Sequence, residues 1–246
     1  MSIKILLKKS CPETYKICKK VYFFLREKLE VYIVGSWFQE QFWKRWRFRK
    51  DDPSGKFCEQ ILHPHRDFLV ERISSYPWET LLEIGCNKGV NLYLLGRKFP
   101  ERKLYGVDIN SYSIEKGRNW FKKEQLLNVN LGIAKADNLS CFADKTIDLS
   151  LTNSTLIYVA PSRIKRVLRE IIRITRKWVI LFEWYPWDIE EGLRDAWYFD
   201  GVWIYDYKKI LNDCLGVKEV VVNRLPPGLW NIESWKRFGC YVEVKL

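Results

Sequence analysis

Leu81-Leu82-Glu83-Ile84-Gly85-Cys86-Asn87-Lys88-Gly89-Val90-Asn91 decides how this chain folds. The apolar residues up to Ile84 read as a short buried strand, and Gly85 to Gly89 bound a tight turn. A helix then runs to about Phe99 and stops at Pro100. Strand, glycine turn and helix bring backbone amides and a helix N-terminus against a small ligand. Asp108 closes the next apolar run, Leu104-Tyr105-Gly106-Val107. From there a carboxylate can accept hydrogen bonds from both hydroxyls of a ribose.

Outward from this turn, strands and helices alternate between residues 80 and 184, which predicts a doubly wound α/β fold with a mostly parallel sheet. The strands are expected at 80–84, 103–107, 129–133, 147–151 and 179–182. The helix expected at 162–175 carries an apolar stripe of Ile164, Val167, Leu168, Ile171 and Ile172. Strand 3 leads to Ala136-Asp137-Asn138, strand 4 to Thr152-Asn153-Ser154, and strand 5 ends at Glu183. After that the pattern changes. Residues 184–205 crowd eight Trp, Tyr and Phe residues between Pro186, Gly192 and Gly201, and read as an aromatic insertion. A helix near 206–215 and strands at 217–224 and 240–245 complete the chain, the last two as an antiparallel edge pair.

Two cofactor classes use such a turn. A dinucleotide wants G-x-G-x-x-G, because the second glycine admits the pyrophosphate and the third lets helix pack on strand. Here Asn87 stands at the second glycine and Gly89 falls at the wrong spacing, which disfavours NAD(P) and FAD. A nucleoside without phosphate tolerates the looser turn, and Asn is the side chain best able to adopt positive φ there.

Four segments in register, Leu82–Gly89, Gly106–Ile109, Ala136–Leu139 and Ile147–Asn153, resemble class I S-adenosylmethionine-dependent methyltransferases of the broad small-molecule type. The resemblance implies a Rossmann-like, seven-stranded sheet whose last strand is antiparallel, with S-adenosyl-L-methionine over the carboxyl ends of strands 1, 2 and 4. It assigns Glu83, Gly85, Cys86, Asn87 and Gly89 to the methionine part. Asp108 takes the ribose and Ile109 the adenine face. Asp137 faces the adenine amino group with Asn138 beside it, and Asn153 lies near the sulfonium. Many relatives carry histidine shortly after the Asn153 position, where this chain has Leu156-Ile157-Tyr158, so no histidine base is expected there.

The remainder of the chain bounds the partners. At 246 residues, 47% hydrophobic and 29% charged, it suits one folded domain with elaborations. Seven scattered cysteines without a C-x-x-C pair, and two histidines, argue for reduced thiols in the cytoplasm and against a metal site. Of the net charge of +12, residues 1–60 hold 14 Lys/Arg against 7 Asp/Glu. Residues 11–34 read as an amphipathic basic helix. Ser36-x-x-Gln39 has the form of a capping box opening a second helix, and Asp51-Asp52-Pro53-Ser54-Gly55 a turn. A further helix is expected at 58–75. The expected division is therefore a basic, aromatic-rich helical extension, 1–56, and a methyltransferase domain, 57–246. Residues 1–50 suit an anionic membrane surface, hence a peripheral location, or a phosphorylated substrate.

Methyl transfer to an oxygen or nitrogen of a small or medium acceptor, saccharide- or lipid-linked among the options, is the expected activity. Glu183 is the candidate general base, facing the crevice from the end of strand 5. His63-Pro64-His65-Arg66 reads first as a helix entry and second as an acceptor contact. The aromatic clusters at 37–48 and 184–205 are expected to roof the acceptor pocket or to fill core. The interleaved Trp43–Lys50 stretch keeps open an RNA methyltransferase, although no Asp/Asn-Pro-Pro-aromatic motif follows strand 4. A non-catalytic cofactor-binding or membrane-associated partner subunit is the third reading.

Overall fold

The computed structural model describes residues 11–29, 37–45, 63–188, 195–199 and 201–246. The expected turn at 51–55, the stretch 46–50, residues 30–34 of the first helix, Ser36 and the expected helix start at 58–62 lie outside them. Among the described residues three helices come first: α1 (Pro12–Leu29), α2 (Trp37–Arg45) and α3 (Pro64–Ser74). Then follow β1 (Thr80–Ile84), α4 (Val90–Lys98), β2 (Lys103–Asp108), α5 (Ser111–Lys123), β3 (Val129–Ile133) and β4 (Ile147–Asn153). A 3₁₀ turn, Leu156–Tyr158, precedes α6 (Pro161–Ile174) and β5 (Thr175–Trp184). The chain continues through β6 (Ala196–Phe199), β7 (Val202–Tyr205), α7 (Tyr207–Asn212), β8 (Glu219–Arg224), α8 (Glu233–Phe238) and β9 (Gly239–Lys245).

Seven strands form one sheet in the order β3-β2-β1-β4-β5-β9-β8. The first five run parallel, and β9 lies antiparallel between β5 and β8. The expected antiparallel pair is thus present, but β8 and not the last strand forms the edge, and α8 separates the two. The order reverses between β1 and β4, which opens a crevice beyond the carboxyl ends of the central strands. Alternation along β1 explains the two-sided core. Leu81 packs with Leu69, Leu92 and Phe121 from α3, α4 and α5, while Leu82 packs with Ile164, Leu168 and Ile171 of α6. The α6 stripe is buried as its spacing requires, and each such side chain contributes about 1.5–3 kcal/mol relative to exposure.

Gly106 sets how closely α4 approaches the sheet, since a Cβ there would stand 2.4 Å from Leu92 Cδ1. The segment 184–205, expected to be irregular, contains the β6–β7 hairpin, paired from Ala196–Tyr205 to Phe199–Val202. Trp203 and Tyr205 alternate with their neighbours into the core on the α6 side. The Gln39 side-chain amide donates to Gly201 O across the chain at 3.1 Å.

Asp148 is the buried acid that ties strand ends together. One oxygen accepts from the amides of Glu79 (3.0 Å) and Thr80 (3.2 Å). The other meets Arg176 (2.6 Å) and Lys177 (3.1 Å). Burial alone would raise this carboxyl, but the Glu79 amide and the Arg176 and Lys177 cations outweigh it and hold it well below the usual aspartate range. A depressed pKa stabilises the fold fully above the unfolded value of about 4 and loses that contribution as pH falls toward the folded value. Asp148→Ala should therefore cost roughly 2–3 kcal/mol in urea unfolding at neutral pH. The gap to wild type should narrow on acidification.

Candidate functional site

A cavity of about 370 Å³ opens beyond the carboxyl ends of β1, β2 and β4. Its near wall is the glycine turn. Gly85 (φ +74°), Asn87 (φ +55°) and Gly89 (φ +82°) all take the left-handed conformation, as the substitution of Asn for glycine at position 87 anticipates. The turn is fastened to β2 twice, by Gly85 N and Cys86 N to Val107 O at 2.7 and 3.1 Å. Asp108 fastens it a third time. Its Oδ2 accepts from Asn87 N and its Oδ1 from Asn110 N, both at 2.8 Å. Burial raises the Asp108 pKa, opposed by these amides. Each oxygen keeps acceptor capacity toward the cavity.

The floor is a polar chain. Arg66 donates to Asn91 Oδ1, and Asn91 Nδ2 donates to Glu83 Oε1 at 2.6 Å. Glu83 is fully enclosed, and burial pushes its carboxyl up to about 8 against the lowering effects of Asn91 and Arg66. Three buried polar atoms of residues lining the cavity, Glu83 Oε2, Asn87 Oδ1 and His65 Nε2, have no hydrogen-bond partner among the described residues. Buried polar atoms are usually paired, so the wall has the chemistry of a site that receives a polar ligand.

The far wall comprises Ile109, Ala134, Asp137 and Asn153. Asp137 sits 3.4 Å from Arg163. Over the top lies α2. Glu40 pairs with Lys44 (2.9 Å), Lys135 (2.6 Å) and Arg163 (2.9 Å), joining α2 to the β3 loop and to α6. Burial would raise the Glu40 carboxyl, but Lys135 and Lys44 hold it at about 2. Asn110 Nδ2 donates to Trp43 O at 2.8 Å, and the Trp43 ring meets Tyr158 edge-on at 4.7 Å.

Of the residues expected from sequence, Glu83, Gly85, Cys86, Asn87, Asp108, Ile109, Asp137 and Asn153 line this one cavity. Gly89 does not; it opens α4 and packs against Phe121, so its place is to shape the turn. Asn138 turns outward to a separate shallow depression, its amide on Lys135 O and its Oδ1 accepting from Ser140 N. Glu183 requires a correction. It was expected to face the crevice as a base, yet it is completely buried beneath the cavity and caps the 3₁₀ turn, accepting from Thr155 N (3.0 Å) and Ile157 N (3.4 Å). Burial raises its pKa to about 7, opposed by those amides. Among the described residues none of 184–205 lines the cavity either. The aromatic wall comes from Trp43, Tyr158 and Trp230, and its polar groups from His65 and Arg66. Spacing gave no signal for Trp230, whereas His-Pro-His-Arg was visible and read mainly as a helix entry. Both of its readings have structural counterparts: His63 caps α3, and His65 enters the cavity wall.

Residues 81–177 match the family model described as a methyltransferase domain. No curated protein matches the chain significantly. Among solved structures, an S-adenosylmethionine-dependent methyltransferase from Aquifex aeolicus is 18% identical, with TM-score 0.57, over 79% of this chain and 94% of that one. A geranyl diphosphate C-methyltransferase from Streptomyces coelicolor A3(2) is 14% identical, with TM-score 0.60, over 85% and 97%. The cyclase SpnF is 14% identical, with TM-score 0.58, over 76% and 82%. At these identities the likeness is one of fold.

The tightest steric demand in the cavity wall falls on Gly85, where a Cβ would stand 2.2 Å from Thr155 Oγ1. Gly85→Ala should destabilise by about 2 kcal/mol or more, combining left-handed strain with the clash. Adding Thr155→Ala should restore part of the loss and leave the backbone strain, a non-additivity measurable in a thermal-melting double-mutant cycle.

Proposed function

We propose that this chain is a class I, S-adenosylmethionine-dependent methyltransferase that methylates an oxygen or nitrogen of a small or medium acceptor in the described cavity, a reading supported by the methyltransferase-domain match over residues 81–177. The observation that supports the cofactor half of this reading is the meeting, around one cavity, of a ribose-suited carboxylate, Asp108, with the unpartnered acceptors Glu83 Oε2 and Asn87 Oδ1. Asp108 would take the two ribose hydroxyls on its remaining lone pairs. Ile109 and Asp137 would hold the adenine. Glu83, Gly85, Cys86 and Asn87 would border the methionine part, with its ammonium answering the orphaned oxygens. Asn153 would lie by the sulfonium. Gly89 and Asn138 would act through the shape of their loops.

When bound, the cofactor supplies an electrophilic methyl group. The chain's own work is to orient the acceptor in line and keep water out, which α2 serves by lying over the opening. The rings of Trp43, Tyr158 and Trp230 suit stacking on a sugar or a planar ring. Calorimetry with S-adenosylhomocysteine tests the cofactor half. Asp108→Asn, which removes the charge and keeps an oxygen for only one of the two backbone amides, should bind about 10–100-fold more weakly. Equal affinity in wild type and variant would sink the assignment.

A specific feature favours presentation of the acceptor at an anionic membrane. On α1, Ile17, Val21 and Leu25 fall along one side and are 61%, 51% and 60% exposed, with Lys16 and Lys19 on the other side. Such a helix suits the interface plane of a bilayer. No helix among the described residues is long and apolar enough to cross one. Flotation should occur with phosphatidylglycerol-containing vesicles, weaken on phosphatidylcholine alone and weaken again in Val21→Glu. Flotation indifferent to both changes would remove α1 from this role.

A further inference from the structure

We propose that His65 is a catalytic hydrogen-bond acceptor for a hydroxyl group on the methyl acceptor, with His63 holding it in the one tautomer that serves. The proposal rests on the methyltransferase reading and adds to it the class of group that is methylated.

The tautomer follows from the pairing of the two rings. His63 is the N-cap of α3, and its Nδ1 accepts the backbone N–H of His65 at 3.4 Å. A ring nitrogen that accepts carries no proton, so the proton of a neutral His63 is on Nε2. His65 Nδ1 stands 2.6 Å from that same bare nitrogen. Two bare nitrogens at this distance would repel, so His65 Nδ1 carries its ring's proton and donates. The Nε2 of a neutral His65 is then a lone pair. That atom is buried and has no partner among the described residues, and His65 is one of the residues that line the cavity.

Trp230 stacks on the His65 ring at 4.1 Å and 28°, and Trp235 backs Trp230 at 4.5 Å and 13°. Burial, then the neighbouring Arg66 guanidinium, then His63, all oppose a second proton and lower the His65 pKa to about 2. The lone pair is therefore present throughout the physiological range.

The hydroxyl donates to Nε2 as the oxygen–methyl bond forms and the methyl–sulfur bond breaks with its electron pair on sulfur. The O–H electron pair stays on oxygen, the proton passes to Nε2, and solvent later removes it. An oxygen that has just gained a methyl group is a far stronger acid than an imidazolium, so even this weak base suffices. An alkylammonium product is stable with its proton in place and needs no such acceptor, so a bare ring nitrogen in the wall has a use when the group methylated is a hydroxyl and none when it is an alkylamine.

With only two histidines in the chain, ¹⁵N-histidine labelling gives two imidazole patterns, assigned by substituting each in turn. At neutral pH, His65 should be the Nδ1–H tautomer with a bare Nε2, and His63 the Nε2–H tautomer. His63→Leu should shift His65 toward Nε2–H, and His63→Asn, whose side-chain oxygen can take the place of Nδ1, should restore the original pattern. Phenol, used as the hydroxyl probe in the presence of S-adenosylhomocysteine, should move the His65 Nε2 resonance in the direction of an accepted hydrogen bond. An Nε2–H or doubly protonated His65, or an Nε2 resonance indifferent to phenol, would overturn the proposal. Failure of S-adenosylhomocysteine to bind would instead strike the methyltransferase reading, so the two failures are told apart.

Discussion

Two backbone amides, from Asn87 and Asn110, end on the two oxygens of Asp108. That one carboxylate joins the turn after β1 to the start of α5, and the cavity exists because both loops are held to it. The cost of burying the acid is offset by the donors, which also keep it ionised more readily than burial alone would allow. Gly85 and Asn87 must adopt positive φ for the amides to point this way. Sequence, turn geometry and electrostatics therefore converge on a single position at the end of β2.

The opposite side of the cavity depends on long-range charge pairing. Glu40 binds α2 to Lys135 and Arg163, and Asp137 shares Arg163. A helix from the N-terminal region thus becomes part of the wall that faces the turn. The two sides differ in kind: one is fixed by backbone amides within the sheet, the other by side chains that meet across the fold. Exposed ion pairs are worth little, but Glu40 is only 10% exposed and makes three of them, which gives its network more weight.

What the sequence revealed follows the same division. The strand, turn and helix at 80–99, Asp108 and the α6 stripe were legible because their signals are local: a run, a glycine spacing, a period of 3.6. Gly89 and Asn138 were placed in the right loops, but facing was lost, because a residue's direction within a turn depends on dihedral angles that spacing does not encode. Glu183 sat at the expected strand end. Burial along β5 turned it beneath the cavity, where the 3₁₀ turn needed an acceptor. The aromatic segment after β5 became a hairpin with its rings partly in the core, while Trp230, isolated in a loop near the end of the chain, entered the cavity wall. Glu40, Arg66 and Trp230 owe their places to contacts across the fold that no local window contains.

The central claim is that the Gly85–Gly89 turn, Asp108 and the β3–β4 loop together cradle an S-adenosyl nucleoside. Hydrogen–deuterium exchange with and without S-adenosylhomocysteine tests it directly. Added ligand should slow exchange in the peptides spanning residues 85–91, 108–113 and 134–138, and leave β8 and β9 unchanged. Protection confined to other elements, or no protection at a ligand concentration that saturates binding, would contradict it.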